Sequence, residues 1–250
     1  MCEPVNSSAK MWDVKAEDFP RFNPEIEPFQ AKVFDILDSW GVDFTNKEVL
    51  DIGCGTGVYT LHLARKAKKV IGLDFSQGML DLLIEDAKAN DITSINTVCA
   101  DFKNYHKDPV DLVFTSMCPA LMDSDAYEKA FQKAKVGFIY LGWGGKRESS
   151  AMRALFEAHG HKLNAPPGAS KLKAWMDSKK LKYKQCYLET TWNKKSFFED
   201  AIRFEGWHLK MHGIAPDETK IREALKEFVD ESGEVKIITK VGLELIVWFR

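Results

Sequence analysis

The spacing of apolar residues along the chain changes character twice. Between residues 26 and 40, Phe29, Val33, Ile36, Leu37 and Trp40 recur at three- and four-residue intervals, which predicts an amphipathic helix. Gly41 supplies the left-handed stop such helices favour. The stretch before it, with Trp12, Phe19 and Phe22 and prolines at 20, 24 and 28, reads as irregular chain. From residue 48, short apolar runs alternate with helical patterns. Strands are expected at 48–52, 69–74, 95–99, 111–115 and 136–141, and helices at 57–67, from a cap at Ser76 to residue 89, and at 126–134. Strands joined through helices of this length need crossover connections, and so predict a parallel sheet.

The last third follows another pattern. Residues 147–159 read as a helix stopped by Gly160, residues 165–168 (APPG) break the chain, and residues 169–178 form a further helix. Residues 182–192 have strand character. Ser196 and Glu199 have capping-box spacing ahead of a helix carrying Phe197, Ala201, Ile202 and Phe204, and another helix is expected at 217–229. Val235, Ile237, Val241, Leu243, Leu245, Val247 and Phe249 then fall on one face of a long antiparallel strand. The helices at about 195–231 are thus an insertion between the last two strands, the final one spanning 233–249.

Composition narrows the class. The 250 residues are 45% hydrophobic and 29% charged, with a net charge of −2, which predicts one soluble globular domain over 1–250. Near-neutral charge makes nucleic acid an unlikely partner. No run of 18 apolar residues predicts a membrane span, and the first ten residues lack the pattern of a secretion signal. Cys2, Cys54, Cys99, Cys118 and Cys186 are far apart and odd in number, as expected of reduced thiols in a cytoplasmic protein. Residues 162–195 hold nine lysines and two acids, either a solvated face or a rim that attracts an anion.

The chemistry concentrates at the carboxyl ends of the first strands. Gly53, Gly55 and Gly57 follow Asp51 between the first strand and its helix. Glycine belongs where a chain turns tightly and lets a ligand approach the backbone. Position 58 is Val, so the spacing departs from the dinucleotide fingerprint. The acid at 51 would repel a pyrophosphate and suits a cationic ligand. Asp74 ends the second strand, where an acid can hold both hydroxyls of a ribose. Asp101 and Phe102 follow the third strand, an acid to accept from an adenine amino group and a ring to pack on the base.

The stretches VLDIGCGTGVYTLHLA, VIGLDFSQGML, CADF and DLVFTSM, in order within about residues 47–142, resemble the successive motifs of the class I S-adenosylmethionine-dependent methyltransferases. The resemblance implies an α/β, Rossmann-like sheet of seven mostly parallel strands, the last antiparallel, with helices on both faces. It implies S-adenosyl-L-methionine as cofactor. Asp51, Gly53, Gly55 and Gly57 would cradle its methionine part and ribose, and Asp74 would grip the ribose hydroxyls. Phe75 would lie against the adenine, and Asp101 and Phe102 would contact it from the other side. Ser116 or Met117 would line the sulfonium pocket through the backbone. It also implies an N-terminal helical lid within residues 1–46, with Trp12 and Phe19 as its candidate residues. The sulfonium is already activated, so transfer needs an in-line acceptor and exclusion of water, and no catalytic triad is expected.

Acceptor chemistry is expected after the fourth strand, at residues 115–121, and across 143–250. The Asn/Asp-Pro-Pro-aromatic motif of DNA- and protein-amine-modifying members is replaced by Ser116-Met117-Cys118-Pro119, which argues against that subclass. Candidate catalytic residues are Ser116, Cys118, Tyr140 and Trp143, with Lys146 and Arg147 placed to pair with a carboxylate or phosphate. His159 with His161 and His208 with His212 have spacings that can hold a metal. No accompanying ligand stands at telling spacing, and no metal is expected. The chain reads as a methyltransferase, monomer or homodimer, acting on a small molecule of anionic character. Alternatives are an RNA or protein methyltransferase and a non-catalytic cofactor-binding or metal-handling protein.

Overall fold

The computed structural model describes residues 7–250, and the side chains from residue 9 onward. The N-terminal segment begins with α1 (Ser7–Ala16) and α2 (Pro28–Ser39). Pro28 opens α2, where a missing N–H costs nothing, and Gly41 follows it with φ +85°. The helix buries Val33, Phe34 and Leu37. Strand and helix then alternate through β1 (Glu48–Ile52), α3 (Thr60–Ala64), β2 (Lys69–Asp74), α4 (Gln77–Ala89), β3 (Ile95–Cys99), β4 (Val110–Ser116), α5 (Ser124–Lys133) and β5 (Ala134–Glu148). The remainder is α6 (Ser150–Ala158), α7 (Ala169–Ser178), β6 (Tyr183–Phe197), α8 (Phe198–Met211), α9 (Glu218–Leu225) and β7 (Glu234–Phe249).

The seven strands form one sheet in the order β3-β2-β1-β4-β5-β7-β6. β1 pairs in parallel with β2 and β4, β2 with β3, and β4 with β5. Val49, Leu50, Ile52 and Val113 have no exposed surface, as expected of strands covered on both faces. The order reverses between β1 and β4, and in open α/β sheets the carboxyl ends of the strands at such a switch form a crevice.

The chain divides into two compact units. The first comprises the described residues up to Gly142, Gly168–Tyr187 and Glu244–Arg250; the second comprises Trp143–Pro167 and Leu188–Leu243. Each has its own apolar cluster. In the first, Leu50, Ile52, Val113, Phe138, Met176 and Trp248 are buried together; in the second, Leu155, Phe156, Leu209, Ile221, Leu225 and Val235 are. Residues 143–167 and 188–243 thus bury a core among themselves, which is why they separate from the rest.

Several local expectations need correction. The first crossover helix is only Thr60–Ala64, because the left-handed Gly57 (φ +88°) keeps the glycine loop open. Ser196 does not cap a helix: it lies in β6, and Phe197 stands at the start of α8 without a side-chain cap. β7 alternates only through Lys240, and Val241–Trp248 are buried on both faces. Of the five cysteines, Cys54, Cys118 and Cys186 are free thiols, while Cys99 is disulfide-bonded. Pairing depends on proximity in space, which sequence spacing does not report; Cys2 lies outside the described residues. No helix among the described residues is long and apolar enough to cross a membrane.

Candidate active site

The chain leaves β1 through a loop in which Gly53, Gly55 and Gly57 all have positive φ. Gly53 and Cys54 donate their N–H groups to Leu73 O at 2.8 and 3.1 Å, and Gly57 N donates to Cys54 O at 3.0 Å. Gly53 (φ +71°) has no room for a side chain, since a Cβ there would strike the Cys118 thiol and lie 2.8 Å from Cys118 Cβ. Gly55 (φ +53°) is different. The nearest atom to its Cβ position is Phe19 Cε1 at 3.8 Å, so its backbone faces open space that a side chain would fill.

Two carboxylates flank this loop. Asp51 is 2% exposed. Its Oδ2 accepts from Thr60 Oγ1 at 2.6 Å, whereas its buried Oδ1 has no partner. Burial, with Asp74 adding repulsion, pushes its carboxyl up to about 7 against the lowering effect of the Thr60 bond. Asp74 is also buried, and both its oxygens are held: Oδ2 accepts from Gly55 N and Oδ1 from Ser76 N, each at 2.9 Å. Its carboxyl is shifted upward, first by burial, with Asp13 contributing, against the pull of the Ser76, Gly55 and Phe75 backbone groups. A half-satisfied acid enclosed beside this loop can receive a cation.

Ser76 caps α4 by accepting from Met79 N at 3.2 Å. Its hydroxyl in turn donates to Asp13 Oδ1 at 2.6 Å, and the same oxygen accepts from Gly78 N at 3.0 Å. Asp13 lies on α1, so the N-terminal helix is tied through Ser76 to Asp74. Trp12 and Phe19 pack edge-on at 6.1 Å. Arg21 clamps Asp86 through Nε and Nη2 at 2.8 and 2.6 Å. Sequence reasoning named Trp12 and Phe19 for this segment and missed Asp13, Arg21 and Thr60. An acid six residues before an aromatic carries no local signal of a cap completed 63 residues later.

At the third corner, Phe75 and Asp101 are half-buried. Asp101 caps a short turn by accepting from Lys103 N at 2.9 Å. Phe102 is buried in the core, with the Lys129 ammonium 5.1 Å from its ring centroid. Its ring therefore supports Asp101 from the core side.

After β4, Thr115 Oγ1 donates to Ile52 O at 3.0 Å, fixing β4 against the end of β1. Ser116 is half-buried, and Met117 is left-handed (φ +53°) with its N–H donated to Leu141 O at 2.8 Å. Such a conformation is strained for a residue other than glycine. Cys118 fills the space left by Gly53, and burial pushes its thiol up to about 12. Burial thus favours the neutral thiol at this position. Tyr140 is a core residue whose hydroxyl lies over Gly142, and burial shifts it upward so that it stays a neutral phenol.

Trp143, Lys146 and Arg147 belong to the second unit. There Trp143 meets Trp192 edge-on at 5.6 Å, and Lys146 pairs with Glu189 at 3.0 Å. The histidines have other work. His159 contacts Leu155 O through Nδ1 at 2.8 Å and accepts from Asp217 N through Nε2 at 3.1 Å; His212 packs edge-on against Phe156. His208 lies beside the Trp207 ring, and His161 is exposed. Among the described residues no group of three or more His, Cys, Asp or Glu is placed to hold a metal ion.

This geometry agrees with comparison to known proteins. Residues 49–136 match the family described as a methyltransferase domain. An uncharacterized protein of Haemophilus influenzae is 36% identical over 139 residues, 54% of this chain and 50% of its own. The 23S rRNA (uracil(1939)-C(5))-methyltransferase RlmD of Alkalilimnicola ehrlichii is 29% identical over 154 residues, 59% of this chain and 34% of its own. The matched stretches span only 16% to 50% of the length of these and similar curated relatives. The solved structure of YcgJ from Bacillus subtilis shares the fold, with a TM-score of 0.54 at 16% identity over 88% of this chain and 98% of that one. Residues 49–136 thus resemble a methyltransferase domain, and the fold is one that solved structure shares.

Proposed function

We propose that this chain transfers a methyl group from S-adenosyl-L-methionine to a small-molecule acceptor of anionic character. The observation that carries the reading is the partnerless, buried Oδ1 of Asp51 beside the glycine loop. An oxygen in that state is costly unless a ligand satisfies it, and a cofactor with a cationic methionine end does so. Asp74, its two oxygens already oriented by Gly55 N and Ser76 N, takes the ribose hydroxyls. Phe75 and Asp101 take the adenine, the ring by packing and the acid by accepting from the amino group. Gly53, Gly55 and Gly57 keep the backbone accessible, and Ser116 lines the side nearest the transferred group.

Held by Asp51, Asp74 and the glycine loop, the cofactor would supply an already activated methyl group to an in-line acceptor. The chain's own residues orient and shield. Trp12 and Phe19 exclude water, and neutral Cys118 and Tyr140 contribute packing without moving a proton.

The lysine-rich stretch favours a small acceptor over RNA. Lys173 is paired with Glu244, Lys179 with Glu128 and Lys195 with Asp230 and Glu234, while Lys184 donates to Trp40 O. These contacts engage four of the nine lysines of the stretch and so reduce the charge open to a phosphate-tracking rim. The test is incubation with methyl-labelled cofactor and separated cell fractions. Label in the low-molecular-weight fraction is expected. Label confined to RNA or protein would overturn the choice of acceptor.

A further inference from the structure

Arg147 is an unusual arginine. Nε is buried and makes no hydrogen bond. Nη1 lies 3.4 Å from His212 Nε2, and Nη2 donates to the Met152 thioether at 3.4 Å. The contact to His212 is long, and a thioether is a weak acceptor. The Trp143 ring lies 5.5 Å from the guanidinium carbon. Buried Glu205 acts on the Arg147 charge electrostatically, yet no carboxylate among the described residues forms an ion pair with it. Arg21 and Arg222 show the usual outcome, with carboxylates at 2.6 Å and 2.7 Å. A half-buried guanidinium whose Nε is enclosed without a partner, and whose other donors meet only soft or distant ones, carries a desolvation cost that its surroundings repay poorly.

Beside it is an apolar wall. Trp143 and Trp192 pack edge-on at 5.6 Å, and Trp192 is 42% exposed. Lys146, the neighbouring cation, is occupied by Glu189, so Arg147 is the cation facing these indoles with donors to spare. A flat fork of donors matches a carboxylate, which engages two at once. The nearby Glu205 charge disfavours a second negative charge on the ligand, and so disfavours a phosphate dianion. We propose that the second unit binds a small organic carboxylate, its carboxyl group on Arg147 and its aromatic or apolar body against Trp143 and Trp192. This site lies within one unit and does not depend on the methyl-transfer reading.

The experiment is calorimetric and ligand-detected NMR titration of the full chain with phenylacetate, its neutral isostere phenylacetamide, and inorganic phosphate. Phenylacetate is expected to bind at least about tenfold more tightly than the amide, the worth of one charge-assisted pair, and phosphate is expected not to displace it. Arg147→Met is expected to bind acid and amide alike. A residue that only stabilises the fold would lower the melting temperature without changing that ratio. If Arg147→Met does not fold, Arg147→Lys, which keeps the charge and loses the fork, is expected to lose part of the preference. No preference in the wild type, or full preference retained in either variant, overturns the proposal; displacement by phosphate overturns the choice of ligand.

Discussion

Asp51 places an acid where water does not reach, and this has opposite consequences for stability and binding. Its carboxyl stands at about 7 in the folded chain against an ordinary 3.8. Between those values the folded state binds more protons than the unfolded one, so this group's contribution to stability falls as pH rises through that window. Asp51→Asn is therefore expected to raise the melting temperature of the ligand-free protein at about pH 8, while weakening S-adenosylhomocysteine binding about tenfold or more. Wild-type affinity should rise from about pH 6 to about pH 8 as the carboxylate forms, and the variant's profile should be flat. Melting curves and calorimetry across that range check both signs. Gly53 offers a second test. Gly53→Ala forces a Cβ into Cys118 at a left-handed position, with an expected cost of about 2–4 kcal/mol. Adding Cys118→Ala should recover part of it in urea denaturation, and strict additivity would contradict the contact. The position of the glycines and acids of this corner was legible in sequence because they lie at or just beyond the carboxyl ends of β1 and β2. The packing of Cys118 and Tyr140 was not, because burial depends on what packs from elsewhere.

At the scale of elements, α1 and α4 are joined by one carboxylate oxygen, Asp13 Oδ1, which accepts from both Ser76 Oγ and Gly78 N. Because a single oxygen makes both bonds, Asp13→Asn can keep them and Asp13→Ala cannot. The alanine variant is expected to speed hydrogen exchange of α1 and to raise the dissociation rate of S-adenosylhomocysteine several-fold, with asparagine close to wild type. Equal effects of the two variants would show that charge, not the shared acceptor, matters. Ser149→Ala removes a cap from α6, far along the chain in the second unit, and should cost stability without changing that rate. Elements whose signals are local were predicted closely: Ser76 caps α4, Asn90 ends it, and α7 spans Ala169–Ser178. Those decided by tertiary contacts were not. α3 is cut to five residues, where the open glycine loop prevails over helical spacing. At residue 196 a capping pattern is overridden by the continuing strand β6.

For the whole molecule, the parallel core followed from alternation of strand and helix, since each crossover permits few topologies. The partition into two compact units did not, because periodicity reports which face of an element is apolar and not which other face covers it. The family match lies within the first unit, at residues 49–136, and the central claim is that this unit binds S-adenosylmethionine through Asp51, the glycine loop and Asp74. The most direct measurement is calorimetric titration of the purified chain with S-adenosylhomocysteine, beside Asp74→Ala. Micromolar binding to the wild type is expected, weakened in the variant by roughly 1–3 kcal/mol, or about five- to a hundredfold. A folded wild type that binds neither this product nor S-adenosylmethionine, or an Asp74→Ala variant that binds as well as the wild type, would contradict it.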